Sequence, residues 1–396
     1  MKTALQPSPA PSLAPIGPAA RVAAADGLRG LAALTIVLHH AAFVTGVSPR
    51  PGFVGQLMAR LDVGVPVFFA LSGFFLFRPY VARIVGDQPM PSMATFYRRR
   101  LARIFPGFWA AYLVQYALGA LRVFGITGFF LNITLTHVYS RKHSVSGITQ
   151  SWSLATELAF YALLPWFALW LSRRCRSMSP SRRLLAIAAA SASWIAISLI
   201  SRVVNYAWNG GWEKNWRYTV FANADFFAVG LLCAVVAVGR TMSPGFRRLD
   251  ALSLRRPWVW YLVGTIAFVV TSTQLQLPRG LRDGSAQQEL ARHLGYFIVA
   301  VAFVAPACLG APGHRSLRFL STRPIVYLGT ISYGVYLWHQ LLLSGNDRAG
   351  PLLSWFGWPL FEAPLLPVFL MATVGSIILG SLSWYLIEKP MIERFR

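Results

Sequence analysis

Two ionisable side chains share one stripe of the first apolar run. Asp26-Gly27-Leu28-Arg29-Gly30 opens that run, and His39-His40 lies further along it. On a helix, Arg29 and His40 are ~1100° apart, ~20° past three turns, with ~16 Å between them along the axis. They share a face, whereas His39 is rotated ~80° from Arg29. Charged and titratable groups are costly inside a spanning helix, so the pairing points to function. An Arg near one membrane face and a His near mid-membrane on the same stripe suggest a ligand path inward. A neutral imidazole, with an ordinary pKa of ~6.5, suits general-base work. His40 is the candidate base, and His39 is expected to be structural.

Three further groupings could carry chemistry. Arg100 and Arg103, three apart on one helix face, suit phosphate oxygens, which guanidinium groups bind bidentately; the bland alternative is a membrane-anchoring charge cluster. Ser153, Glu157 and Tyr161 follow i, i+4, i+8 in an apolar run. A carboxylate there must be paired or protonated. Glu157 could orient His40, hydrogen-bond a hydroxyl substrate, or pair with an Arg of another helix. Tyr336 and His339 are i, i+3 neighbours that line a pocket or bond between helices. Ser72-Gly73 in an aromatic span reads as close helix packing. No GxSxG, GxxxxGK[ST] or HExxH occurs, and three scattered Cys give neither disulfide framework nor zinc site. No metal site is expected.

The elements that must position these residues are membrane helices. Of 396 residues, 55% are hydrophobic and 13% charged, with mean hydropathy +0.51, which excludes a disordered chain and is foreign to soluble enzymes. Ten apolar runs can span a bilayer, near 31–47, 63–82, 104–121, 152–171, 184–201, 219–239, 258–274, 293–310, 328–345 and 364–386. The fold expected is all-α, a polytopic bundle of about ten transmembrane helices. With the N-terminus in the cytoplasm, roughly twice as many of the 37 basic residues fall on that side as opposite, which puts both termini there. The net charge of +24 then reflects topology and anionic-lipid contact rather than nucleic acid. Residues 1–21, rich in Pro and Ala, read as a disordered tail without a cleaved signal, and 22–396 as one transmembrane domain.

The order of these motifs resembles the membrane-bound acyltransferase 3 family. The resemblance rests on Asp26 to Gly30 leading to His40, Phe68 to Phe74, Arg100-Leu101-Ala102-Arg103 with Pro106, and Trp152-Ser153-Leu154 with Glu157 and Tyr161. It is completed by Ser332-Tyr333 to His339 and by Ile387-Glu388-Lys389-Pro390. It covers about residues 22 to 391. It implies an integral enzyme of the cell membrane that O-acylates an envelope carbohydrate or glycolipid. Acyl-CoA, by resemblance acetyl-CoA, would be the co-substrate on the cytoplasmic side, with no tightly bound cofactor. The family's Arg-x10-His motif falls on Arg29 and His40, and its Arg-x-x-Arg motif on Arg100 and Arg103. Arg100 and Arg103 would hold donor phosphates, Arg29 would position the donor, and His40 would deprotonate the acceptor hydroxyl. Pro66 departs from the pattern, which has an acidic residue there in many members. Some members also carry an extra helix and a fused hydrolase-like domain; here any such partner is expected to be a separate periplasmic or extracytoplasmic protein. The alternative from another class is a transporter or flippase for a sugar-lipid or acyl substrate.

Overall fold

The computed structural model describes residues 23–208, 214–242, 245–246, 256–280, 284–310, 314–343 and 351–395. The tail expected over 1–21 lies outside them. Ten long helices follow in order. They are α1 (Ala23–Val44), α2 (Gly64–Val85), α3 (Met93–Ala117), α4 (Trp152–Arg174) and α5 (Pro180–Trp208), then α6 (Ala224–Met242), α7 (Pro257–Thr273), α8 (Ala286–Leu309), α9 (Arg323–Leu343) and α10 (Leu365–Ser383). There is no β-strand among the described residues. Each of the ten expected runs overlaps one of these helices over most of its length. Seven helical segments among the described residues are long and apolar enough to cross a membrane. Helix α7 is apolar but has only 17 residues, and α3 carries four Arg. The protein is a multi-pass integral membrane protein.

The solvent for which the helices are built shows in α5. Its buried residues, among them Ile187, Ser191, Trp194, Ser198, Arg202 and Asn205, recur every three or four positions. Leu185, Ile197, Ile200 and Val204 point outward and are exposed. Polar groups inside and aliphatic groups outside invert the pattern of a water-soluble helix. Inside lipid, each polar group needs a protein partner: Ser191 donates to the Ile187 carbonyl at 2.7 Å and Ser198 to Asp225 at 2.9 Å.

Two contacts set the geometry of the site. Helix α2 packs most extensively on α6, and α1 on α9. Gly230 of α6 lies directly against the backbone of α2 at Ala70 and Phe74, where a Cβ would overlap the Ala70 carbonyl. The expectation of close packing at Ser72-Gly73 is met by Gly73, which faces the Phe227 carbonyl. Between α1 and α9, Gly329 sits against the Asp26 carbonyl. That close approach brings the far ends of α1 and α9, and with them His40 and His339, together.

The connection from α3 to α4 buries a titratable group outside the spans. His137 has no solvent exposure, and its Nε2 lies 3.3 Å from Ser151 Oγ. Burial holds the imidazole down to about 4, against its ordinary 6.5. The unfolded chain therefore takes up a proton near pH 6.5 that the fold refuses until about pH 4, so stability falls as pH drops through that window. The loss is expected to reach at most about 3 kcal/mol. Melting in detergent between pH 7 and pH 4.5 should show a falling Tm in wild type and a flatter profile in His137→Gln. Equal slopes would assign the pH response to other groups.

Candidate active site

His40 lies one turn from the end of α1. Its Nδ1 donates to the Ile36 carbonyl at 3.0 Å. His339, fully buried on α9, presents Nε2 to the same Nδ1 at 3.2 Å, with ring centroids 5.0 Å apart. His339 Nδ1 in turn donates to the Val335 carbonyl at 3.3 Å. These contacts fix one consistent tautomer for each ring. His339 carries its proton on Nδ1 and accepts at Nε2 from His40 Nδ1–H, which is shared with Ile36. The lone pair of His40 is then on Nε2. The partner that orients His40 is His339; no hydrogen bond joins it to Glu157 among the described residues. His39 stacks edge-on against His40 at 5.1 Å and donates from Nδ1 to the Met58 carbonyl at 3.1 Å.

Glu157 accepts from Ser72 Oγ of α2 and from Tyr161 Oη at 2.6 Å. Spacing of i, i+4 delivers Tyr161 to it, and the Gly73–Gly230 approach fixes α2 and with it Ser72. Ser153 takes a different partner, Tyr336 Oη at 2.7 Å, and Tyr336 donates to the Gln150 carbonyl at 2.7 Å. The helix-face grouping of Ser153, Glu157 and Tyr161 thus divides between two polar clusters.

Around Tyr161 the three candidate arginines converge. Arg29 and Arg100 both lie within electrostatic reach of its hydroxyl, and Arg103 within reach of Tyr161 and Arg29. Arg100 lies over the Phe96 ring at 6.0 Å. Arg103 is committed further: it pairs with Glu388 at 3.3 Å and stacks over Trp384 at 5.0 Å and Tyr333 at 5.7 Å. Glu388 is 1% exposed and also accepts from Ser383 at 3.0 Å. A single π-helical turn over Trp384–Glu388 brings the end of α10 against α3 at this point. Ser72 was expected only to pack, and Glu388 entered only as part of the closing motif; here they hydrogen-bond Glu157 and pair with Arg103, respectively. An acidic residue ending the last span, able to face the Arg cluster, was the available signal for Glu388.

Arg29 and His40 are linked by a file of rings. Arg29 lies over Phe68 at 5.9 Å; Phe68 meets Tyr336 at 6.1 Å, Tyr336 meets His339 at 5.9 Å, and His339 meets His40. Both therefore face the bundle interior. Pro66, at the position where an acidic residue was expected, lies one turn after Asp62, which accepts from Tyr296 Oη and lies 4.0 Å from Arg292. A carboxylate therefore stands close to that position, on the preceding turn.

The family described as "Acyltransferase domain" matches residues 22–385. The chain belongs to the acyltransferase 3 family. Among its relatives are the peptidoglycan O-acetyltransferase OatA of Listeria monocytogenes, 23% identical over 92% of this chain and 55% of the relative, and the O-acetyltransferase OatA of Staphylococcus aureus, 21% identical over 80% of this chain and 50% of the relative. Nodulation protein 10 of Rhizobium leguminosarum is 23% identical over 83% of this chain and 82% of its own length. The chain spans about half the length of the two OatA proteins. No solved structure matches it.

Proposed function

We propose that this acyltransferase 3 chain moves an acyl group, acetyl by similarity, from acyl-CoA on the cytoplasmic side to a hydroxyl of an envelope carbohydrate. Peptidoglycan is the acceptor named for the Listeria relative. The observation that carries this reading is the His339–His40 pair, which leaves the Nε2 lone pair of an interior imidazole available as a base. His40 Nε2 removes the acceptor O–H proton as the oxygen attacks the thioester carbonyl. The C–S bond breaks, an O-ester forms, and the departing thiolate takes the proton back. The cluster of Arg29, Arg100 and Arg103 would receive the donor's phosphates. Arg100 is the freer of the last two, since Arg103 is shared with Glu388. A donor arm running from there to His40 passes Phe68 and Tyr336, so Phe68 must swing aside when donor binds.

The reading includes ten spans with cytoplasmic ends, as the distribution of basic residues expects. The transporter alternative gains nothing from the two OatA relatives, which are named as O-acetyltransferases. Purified protein given labelled acetyl-CoA and peptidoglycan fragments should release free CoA and label the glycan in equal amounts. Glycan that crosses a vesicle membrane unlabelled would overturn the proposal in favour of transport.

A further inference from the structure

A second polar site lies at the His40 end of the bundle, opposite Arg100 and Arg103. It is an open cavity of about 250 Å³ between the start of α4, the end of α5, the start of α6 and the first half of α8. At ~30 Å³ per water this equals about eight waters, room for one ring and its substituents. Its walls are of two kinds. Trp152 and Tyr218, with ring centroids 5.0 Å apart, supply flat aromatic faces. Arg202, Arg217 and Arg292 supply guanidinium groups, against the one lining carboxylate, Asp62. The polar lining is fixed from behind. Arg292 is tied to Glu289 at 2.5 Å, His293 to Asp225 at 2.6 Å, and Asp225 to Ser198 at 2.9 Å. Buried ionic networks of this kind cost desolvation and contribute little to stability, so their presence around an open cavity calls for a ligand.

The cavity lies near the proposed base without including it in its lining. Asp62 is within electrostatic reach of His39, and His39 packs edge-on against His40. Aromatic faces suit the C–H faces of a pyranose, and fixed guanidinium groups suit its hydroxyls and an attached anion.

We propose that this cavity seats the acceptor, a pyranose sugar bearing a carboxylate. The ring would lie against Trp152 and Tyr218, with the carboxylate toward Arg202, Arg217 and Arg292. This rests on the O-acyltransferase reading for its purpose, but the binding it predicts needs no turnover.

The test uses the full chain in detergent and two soluble probes: the N-acetylglucosamine–N-acetylmuramic acid disaccharide of peptidoglycan, and the same disaccharide with its carboxylate reduced to an alcohol. Equilibrium binding is measured for wild type, Arg217→Gln and Tyr218→Leu, each checked for an unchanged Tm. Arg217 and Tyr218 are only half-buried, so both variants should fold. Loss of one charged hydrogen bond is expected to weaken binding about 10-fold or more in Arg217→Gln, with a similar loss in wild type for the reduced probe. In the transfer assay the acceptor KM should rise in both variants while the donor KM holds. Equal binding of both probes by wild type and variants, or no binding by wild type, would overturn the site. Binding that follows these expectations without any transfer would keep the site and reject the acyltransferase reading. Transfer with an unchanged acceptor KM in the variants would do the reverse.

Discussion

Replacing His40 by alanine is expected to lower acyl transfer by about 10³-fold, the scale of a lost general base, while His39→Ala stays within a few-fold of wild type. The two rings are adjacent in sequence and only 5.1 Å apart, so the contrast tests geometry rather than composition. His39 spends Nδ1 on the Met58 carbonyl. His40 spends Nδ1 on Ile36 and His339, which leaves Nε2 to work. On the proposed mechanism His339 acts through His40, as a positioning residue. Its Nε2 accepts, so His339→Gln, whose amide oxygen can accept in the same place, should retain more activity than His339→Ala. A second readout separates positioning from simple packing: the pH profile of transfer should shift in His339→Ala and return in His339→Gln. Initial rates with labelled donor at several pH values give both. Loss of activity in His39→Ala with retention in His40→Ala would overturn the assignment.

The sequence carried the helices and the Arg29–His40 face because both depend on local regularity. A period of 3.6 residues and a run of aliphatic side chains are properties of one segment. Pairings between segments are not. The partner of His40 lies 299 positions away, and no spacing rule connects His40 to His339. The same limit explains the divided fate of Ser153 and Glu157. The two are one turn apart on the same face, yet one meets Tyr336 of α9 and the other Ser72 of α2. Arg202, Arg217 and Arg292 fall at or between the ends of apolar runs, where most Arg of such a chain belong. Only their assembly around one cavity, with Asp225 and Glu289 behind them, sets them apart.

Arg103 is expected to be both a stability determinant and a donor ligand, and paired substitutions can separate the two. Arg103→Ala would leave Glu388, 1% exposed, with Ser383 as its remaining hydrogen-bond partner. Removing one member of a buried ion pair costs about 3–5 kcal/mol, so the single variant should melt well below wild type. Arg103→Met combined with Glu388→Leu removes both charges and keeps the volume, and such replacements are often neutral, so its Tm should recover. Its activity should not recover. If a donor phosphate sits on this guanidinium, the donor KM of the double variant should be raised about tenfold or more, because the charge-assisted contact is gone. Glu388→Gln runs the other way. It keeps the shape of the side chain but stops it from competing with phosphate for Arg103, so donor binding should tighten while kcat holds. Recovery of both Tm and donor KM in the double variant would assign Arg103 to packing alone. Phosphate recognition would then fall to Arg100 and Arg29, which have no carboxylate salt-bridge partner among the described residues.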